Sequence, residues 1–475
     1  MNLARFSSRV AIFAALALTG PVTTATPPAG SDPLPQDAPR VIGAALTSTG
    51  AYDKLTYLCD RIGHRLSGST GLERAVAWTA ERMEQEGVPK VWTDPVEVPH
   101  WVRGDVEEVA MVVPREQRMA VTSLGGSVPT PAEGLEAEVV IAHDFDELDA
   151  LGESVRGKIV LFHKPIESGW GSPNGYGSGA GLRVRGPSRA AALGAVGMLI
   201  RSLGTADYRL PHTGALRYDD TQPKIPAAAI AAEDSDQIHR LIDAGETVRV
   251  RMNMNNRILP DAISHNVLGE IPGRERPDEV VLIGAHLDSW DVGCGAHDDG
   301  AGVVAVMETL RILAAMDRAP RRTIRGVLFT NEENGLRGGT AYAERYADVV
   351  HVSAAEMDSG AFPPVGYGVS GGDGAVEFLE PILAPLAVIG ADTVFDRGGG
   401  ADIGPLRKYG TPMLAHRVDV EDYFDYHHTA ADTLDKVDPR ELQKNVASMA
   451  WVAWALAESE GTLPRLPPPD EAAGD

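Results

Sequence analysis

The chain has 475 residues, 43% of them hydrophobic, so it can bury a large core and is neither a disordered nor a fibrous protein. Its 43 Lys and Arg residues against 67 Asp and Glu residues give a net charge of −24, which argues against nucleic acid or an anionic membrane as a partner. With only Cys59 and Cys294, neither a disulfide framework nor a thiolate zinc cluster can form.

Residues 1–25 have the pattern of a secretory signal peptide. Arg5 and Arg9 precede an apolar run over residues 10–18, and small residues follow as far as Ala25. The apolar run is too short to span a bilayer, so no membrane anchor is expected after cleavage. We therefore expect an exported protein, periplasmic or secreted.

The next segment is expected to be a leader followed by helices. Residues 26–40 are rich in Pro, Ala and Asp and are typical of a solvated leader, so the fold is expected to start near Val41. Ser69 is a plausible N-cap for a helix that ends before Gly87. A strand around residues 91–98 closes this part of the chain.

Residues 109–255 have a different character, with short β-branched runs broken by Gly and Pro. The pattern predicts a separate β-rich domain with one helix over residues 188–193. Its glycine-rich stretch 169–186 lacks the Lys-Ser/Thr ending of a phosphate-binding loop, so we expect a mobile loop there.

From residue 256 onward, strands alternate with helices. Strands are expected over residues 280–285, 324–330, 351–357 and 411–415, with helices over 301–315, 339–346 and 440–457. This alternation predicts an α/β fold with a doubly wound, mostly parallel sheet over residues 256–462. Residues 463–475 are expected to be an acidic tail that need not be ordered.

Five clusters of acidic and histidine residues follow the predicted strands. They are His286-Leu287-Asp288, His297-Asp298-Asp299, Asn331-Glu332-Glu333, Glu356-Met357-Asp358 and His427-His428-Thr429. Ligands of an open α/β sheet bind in the crevice outside the carboxyl ends of the strands. The clusters are therefore expected to converge on one place.

Each cluster alone is also explained as a turn, a solvated helix start or an N-cap. Together, however, the carboxylates would repel one another unless they were protonated or bound to cations, and His with carboxylate ligands suits zinc. The sequence therefore predicts two zinc ions that share one carboxylate, with a further free carboxylate as proton shuttle.

These residues resemble the co-catalytic di-zinc aminopeptidase and glutamate carboxypeptidase family. The resemblance is carried by Gly284-Ala285-His286-Leu287-Asp288-Ser289-Trp290-Asp291-Val292-Gly293, Asp298-Asp299-Gly300, Glu332-Glu333, Asp358, His428-Thr429 and Asp432-Thr433, with Arg65-Leu66-Ser67-Gly68-Ser69 and Pro211-His212-Thr213-Gly214 pointing to a carboxypeptidase branch. It covers nearly all of the chain after the signal peptide. It implies a zinc exopeptidase fold with a catalytic domain over residues 41–108 and 256–462, a protease-associated insert over 109–255, and a homodimer.

The resemblance also implies a role for each site residue. His286 and Asp358 would bind one zinc ion, Glu333 and His428 the other, and Asp298 would bridge the two. Glu332 would be the general base, and Asp288 would hold the His286 imidazole from behind.

Several assignments stay open on the sequence alone. His428 is preferred to His427 as ligand because it directly precedes Thr429. His427 is either a substrate contact at the oxyanion or a supporting residue. His297 is expected to support the site. Cys59 and Cys294 could pair, since an exported protein permits disulfides, and two unpaired or weakly determined thiols are favoured over a catalytic cysteine.

The expected function is an exported zinc exopeptidase that hydrolyses dipeptides or short peptides with metal-activated water, as a dipeptidase or carboxypeptidase. An aminopeptidase of the same family is the nearest alternative. A non-catalytic receptor-like protein and a glutaminyl cyclase on the same fold are the others, and the complete set of predicted ligands disfavours the receptor-like reading.

Overall fold

The computed structural model describes residues 34–168, 174–206 and 208–467. The predicted signal peptide, part of the predicted leader and the end of the tail lie outside these ranges. The helices of the described residues are α1 (Leu34–Leu46), α2 (Gly50–Tyr57), α3 (Thr70–Gln85), α4 (Phe145–Leu151), α5 (Tyr176–Ala192), α6 (Ala232–Asp243), α7 (Ala301–Ala314), α8 (Arg337–Arg345), α9 (Ala375–Leu383), α10 (Tyr423–Tyr426) and α11 (Pro439–Glu458).

The strands are arranged in two sheets. They are β1 (Lys90–Val102), β2 (Glu107–Val113), β3 (Gln117–Arg118), β4 (Val121–Ser123), β5 (Leu135–Ala142), β6 (Ile159–Phe162), β7 (Gly197–Arg201), β8 (Ala227–Ile230), β9 (Arg249–Met254), β10 (Arg257–Ile271), β11 (Arg276–His286), β12 (Arg322–Phe329), β13 (Val350–Glu356), β14 (Pro364–Ser370), β15 (Thr393–Phe395) and β16 (Met413–Val418). Short 3₁₀ or π turns cover Leu58–Ile62, Gly152–Val155, Ala296–Gly300, Ala384–Ile389, Gly404–Tyr409 and Leu434–Lys436.

The first sheet has the strand order β1-β10-β12-β11-β13-β16-β14-β15. Its central strands β12, β11, β13 and β16 run parallel to one another. The pairs β1 with β10, β10 with β12 and β14 with β16 are antiparallel. The expected α/β class is therefore confirmed, with a mixed sheet that is parallel at its centre. The parallel strands end together at one edge, which is where the acidic and histidine clusters follow them.

Helices cover both faces of this sheet, as a buried parallel sheet requires. Alternate residues of β11 face opposite sides: Val281 and Ile283 join a core with α1, α2, α7 and α11, and Leu282 joins a second core that includes residues of α8. Ser69 caps α3 by accepting a hydrogen bond from the Leu72 N–H, as the sequence predicts. The sheet is thus held between two apolar layers.

The expected leader and tail are both partly folded, which corrects the prediction. Helix α1 begins at Leu34. The buried Asp37 carboxylate of this helix accepts a hydrogen bond from the Trp454 indole at 2.9 Å and pairs with Arg318. Near the other end of the described chain, Leu463 and Leu466 are buried against the two cores. Their proline and charged residues predict solvated segments, but a few apolar side chains are enough to pack these segments against the core.

The second sheet, with the order β3-β2-β9-β5-β6-β7-β8-β4, is built from residues between β1 and β10. β5, β6, β7 and β8 are parallel and carry α4, α5 and α6, so this part of the chain is α/β rather than simply β-rich. The chain leaves the first sheet at the end of β1 and returns to it in β10, which pairs with β1 along nearly its whole length.

Helix α5 replaces most of the predicted glycine-rich loop. It begins at Tyr176 and continues through Pro187, although glycine and proline are poor helix formers. The glycines are used for close packing: a Cβ at Gly186 would lie 2.7 Å from the Phe162 ring, and one at Gly179 would collide with Leu203. Tertiary packing therefore overrides local propensity, which the sequence pattern could not reveal.

In the described part of the chain, no helix is both long enough and apolar enough to span a bilayer. Cys59 and Cys294 are both free thiols.

Candidate metal centre

The five predicted clusters meet at the carboxyl ends of the central parallel strands. His286 is the last residue of β11, Glu332 and Glu333 follow β12, and Asp358 follows β13. The remaining cluster, His427 and His428, follows the short helix α10, which comes after β16. Asp298 lies in the irregular turn that leads into α7, where the Asp298–Asp299 peptide bond is cis.

One group of potential ligands consists of His286, Asp298 and Asp358. The His286 Nε2 atom lies 3.1 Å from Asp298 Oδ1 and 3.3 Å from Asp358 Oδ1. The Nδ1 atom of the same ring lies 3.0 Å from the Asp288 carbonyl oxygen, so the ring orientation is fixed from behind. His286 is only 1% exposed, so bulk water has little access to its ring.

A second group consists of His428, Asp298 and Glu333. The His428 Nε2 atom lies 3.0 Å from Glu333 Oε2 and 3.2 Å from Asp298 Oδ2. Asp298 therefore faces one group with Oδ1 and the other with Oδ2. Within each group, the three potential ligand atoms lie within 4.8 Å of one another.

The site gathers more buried carboxylates than the protein's own cations neutralise. Burial, reinforced by the Asp298 charge, raises the pKa of Glu333 to about 7. Burial also raises the pKa of Glu332 well above its usual range, and the charges of Asp358 and Glu333 add to this. Burial acts against a charged His286, yet Asp358 and Asp298 raise the pKa of this imidazole well above its usual value. Cations bound among these carboxylates would relieve the repulsion.

Asp288 supports both strand ends without belonging to either ligand group. Its Oδ1 accepts a hydrogen bond from the Glu332 N–H at 3.0 Å and its Oδ2 one from the Glu333 N–H at 3.2 Å. The Glu333 side chain is held in turn by the Trp290 N–H, 3.1 Å from its Oε1. The Glu332 side chain lines the cavity in front of the site but belongs to neither group.

Asp432 and Arg65 also hold the site, although no role was predicted for either residue. The Asp432 carboxylate accepts hydrogen bonds from three consecutive N–H groups, those of residues 296–298, at 2.7 to 3.1 Å. Arg65 is fully buried and donates to the carbonyl oxygens of Leu287 and Cys294. Both residues stand in segments that carry the family resemblance, and this resemblance is the sequence feature that could have indicated their role.

His297 and Glu356, two other members of the predicted clusters, belong to neither ligand group. The His297 ring is stacked on Phe362 with the centroids 4.4 Å apart, and its Nδ1 accepts the Ala361 N–H. Glu356 accepts hydrogen bonds from the backbone N–H groups of Ala401 and Ile403. These two side chains stabilise the loops around the site.

His427 lies beside the second group and contacts the segment between β7 and β8. Its Nε2 is 3.5 Å from Asp298 Oδ2, and its Nδ1 is 3.1 Å from Nε2 of His212. Burial lowers the pKa of His427 well below its usual value, and the positive charges of His428 and Arg183 add to this. A neutral His427 is thus held against the site by His212, a residue for which the sequence predicts no role of its own.

The site opens into a cavity of about 370 Å³, a size suited to a small ligand. One wall comes from the first sheet and its loops and the other from the segment that builds the second sheet. The lining residues are Tyr176, Arg183, Val184, Ala215, Leu216, Arg217, Asp298, Glu332, Glu333, Asn334, Gly335, Leu336, Asp358, Tyr423, Phe424, His427 and His428.

The donor set fits a metal centre. Asp298 Oδ2 is buried and forms no hydrogen bond of acceptable geometry among the described residues, although His428 Nε2 lies 3.2 Å away, and Asp298 is only 5% exposed. Such buried polar groups are costly unless something pairs with them. Imidazole nitrogens combined with carboxylate oxygens are ligands that zinc takes in proteins.

Comparison with known proteins agrees with this geometry. Residues 266–453 match the model of peptidase family M28. The chain is 38% identical over 419 residues to carboxypeptidase Q of Mus musculus and 37% identical over 421 residues to that of Homo sapiens, in each case over 87% of both chains.

Solved structures show the same relationship. The crystal structure of a peptidase M28 precursor from Shewanella amazonensis superposes with a TM-score of 0.89 at 38% identity, covering 92% of this chain and 99% of that one. A zinc aminopeptidase from Bacillus subtilis shares the fold, with a TM-score of 0.64 at 19% identity over 87% of this chain and 96% of that one. The chain therefore belongs to peptidase family M28, as a metallo-exopeptidase related over most of its length to carboxypeptidase Q.

Proposed function

We propose that the protein is an exported exopeptidase that hydrolyses dipeptides or short peptides with two zinc ions. The observation that carries the proposal is the Asp298 carboxylate, whose two oxygens face two separate groups of His and carboxylate ligands. His286 and Asp358 would hold one ion, Glu333 and His428 the other, and Asp298 both. Bound there, the ions would polarise the scissile carbonyl and make water a nucleophile near neutral pH.

The chain's own residues then divide the remaining work. Glu332 would take the proton of the attacking water and deliver it to the leaving amine, since its carboxylate lines the cavity and is free of both ligand groups. Asp288 would keep Glu332 in place through the backbone N–H groups of residues 332 and 333. His427 would donate a hydrogen bond to the substrate oxygen on which negative charge develops.

We also propose that residues 109–255 form an inserted domain that corresponds to a protease-associated domain, and that the protein is a homodimer. The family resemblance supports both. Residues 1–25 would be removed on export, which the N-terminal sequence of the exported protein would reveal. Sedimentation at a mass of one chain instead of two would reject the dimer.

The function is tested with the full chain and three substrates: an unblocked dipeptide, an N-acetylated dipeptide and a peptide blocked at both ends. We expect hydrolysis of the unblocked dipeptide, its loss in a strong chelator and its recovery on adding zinc. The peptide blocked at both ends should resist hydrolysis. Turnover that survives complete metal removal would contradict the proposal, and the N-acetylated dipeptide reports whether a free amino end is needed.

A further inference from the structure

Two arginines line the wall of the cavity that faces the candidate metal centre. Arg183 belongs to α5, and Arg217 lies in the connection from β7 to β8. The Arg217 N–H donates to the Val184 carbonyl oxygen at 2.9 Å, so the two arginines lie on adjacent backbone segments. Among the described residues, neither guanidinium group forms an ion pair with a carboxylate, although the protein is strongly acidic.

Arg183 is held in one orientation although no carboxylate of the described residues pairs with its charge. It is 7% exposed, its Nε donates to the Ala215 carbonyl oxygen at 3.2 Å, and its Nη1 lies 2.5 Å from the Tyr176 hydroxyl. The group lies so close to Gly214 that any side chain there would collide with it. Its Nη2 has no hydrogen-bond partner among the described residues. A buried cation without a counter-charge is unfavourable, and an anion in the cavity would correct this.

A single aromatic ring, that of Tyr176, lies between Arg183 and the two histidines of the candidate metal centre. The Arg183 Cζ lies 5.5 Å from the centre of the Tyr176 ring, and that ring lies 5.0 Å from the His427 ring and 6.4 Å from the His428 ring. Consecutive Cα atoms of a peptide are about 3.8 Å apart. One residue beyond a peptide bond held at the metal centre could therefore span the width of this ring and reach Arg183, and Arg217 lies on the neighbouring backbone segment.

Among the described lining residues of the cavity, no carboxylate is left free to bind an ammonium group. Its described lining contains four carboxylates, those of Asp298, Glu332, Glu333 and Asp358. Three are potential metal ligands, and Glu332 is the proposed proton carrier. The charge pattern of the cavity wall therefore favours a free carboxyl end over a free amino end.

We propose that Arg183 and Arg217 form a subsite for the terminal carboxylate of the substrate residue that leaves with the new amine. This inference rests on the proposed peptidase function and names its substrate class, a peptide with one residue beyond the scissile bond and a free carboxyl end. Arginine suits this task because its planar guanidinium binds a carboxylate with two parallel hydrogen bonds.

The test compares a dipeptide with its C-terminal amide, both with a free amino end, on the metal-loaded full chain. Because a hydrogen bond to a charged group contributes about 1.5–3 kcal/mol, we expect kcat/KM for the acid to exceed that for the amide by about 10- to 100-fold. In Arg183→Gln and in Arg217→Gln this ratio should fall toward one, mainly through a higher KM for the acid. Arg183→Lys should keep part of the preference.

Arg185→Gln is the matched control. Arg185 stands on the same helix, but its guanidinium lies over the Phe145 ring, 5.3 Å from its centre, and does not line the cavity. The acid-to-amide ratio should stay at the wild-type value in this variant. Arg217 is exposed, so its replacement tests the subsite even if an Arg183 variant fails to fold.

Two results would separate the failure of this inference from the failure of the proposed function. Equal hydrolysis of acid and amide by the wild type, or an unchanged ratio in both glutamine variants, would overturn the subsite and leave the peptidase standing. Hydrolysis of neither compound by the metal-loaded protein would overturn the peptidase. In that case, calorimetry with free phenylalanine and phenylalaninamide still tests the arginines, which should bind only the acid.

Discussion

The two adjacent glutamates after β12 differ in what surrounds them. Glu333 faces His428 at 3.0 Å and belongs to a ligand group, whereas the Glu332 carboxylate faces the cavity. Their backbone N–H groups are both held by Asp288, so the turn presents the two side chains in fixed and different directions. A ligand and a proton carrier can therefore occupy consecutive positions.

This difference predicts separable effects of substitution. Glu332→Gln should keep the wild-type zinc content and lower kcat by about 10²- to 10⁴-fold, because the amide cannot carry the proton. Glu333→Gln should lose both zinc and turnover. Metal analysis and dipeptide kinetics on the same samples check the pair, and wild-type turnover in Glu332→Gln would reject its assignment.

Much of the candidate ligand set could be predicted from the sequence because His286, Glu333 and Asp358 stand at the carboxyl ends of neighbouring parallel strands. His212 and Arg183 could not be assigned, since they come from a segment far away in sequence and reach the site only through the packing of α5 and the loop after β7. The role of Asp432 could not be predicted either, because nothing in the sequence around it indicates that its carboxylate accepts hydrogen bonds from three backbone N–H groups.

At the level of elements, the strands of the first sheet could be predicted because buried parallel strands are continuous apolar runs. The starts of α1 and α5 could not. Leu34–Leu46 and Tyr176–Ala192 contain residues typical of loops, and both helices are stabilised by partners elsewhere in the chain, such as Trp454 for α1. Local propensity describes such segments poorly because tertiary contacts decide their structure.

One buried ion cluster joins α2 to α7 and makes a test of stability possible. Glu308 is fully buried and lies 2.7 Å from Lys54 Nζ and 2.6 Å from Arg311 Nη2. Burial alone would raise the pKa of Glu308, but Arg311 and Lys54 lower it to about 2. Because this folded-state pKa lies below the unfolded value of about 4.3, the carboxylate stabilises the fold above that value.

Glu308→Gln should therefore lower the free energy of unfolding by about 2 kcal/mol at pH 7, since it weakens the charged hydrogen bonds to Lys54 and Arg311 and leaves Lys54 with Glu86 as its one remaining carboxylate partner among the described residues. The difference from wild type should shrink as the pH falls from about 4.3 toward 2, where Glu308 itself becomes protonated. Urea unfolding of the zinc-free proteins measures both effects. Glu344→Gln, at an exposed position of α8, is the control, and a pH-independent difference would contradict the account.

For the whole molecule, the cavity wall shows why the segment between β1 and β10 matters. Residues of the first sheet supply the candidate ligands, and residues 176–217 supply the arginines and His212 that face them. The Thr213 N–H donates to the His428 carbonyl at 2.9 Å, so the second part of the chain also contacts a ligand residue directly. The proposed chemistry therefore lies with the first sheet and its loops, and the proposed choice of substrate with the segment between β1 and β10.

The central claim is that Asp298 joins two zinc ions, and counting the metal tests it most directly. Elemental analysis of the purified, active full chain should give two zinc ions per chain. Asp298→Ala should lose both, whereas His265→Gln, which replaces a histidine outside the site, should keep both. An active chain with fewer than two metal ions, or an Asp298→Ala variant that still binds two, would contradict the account.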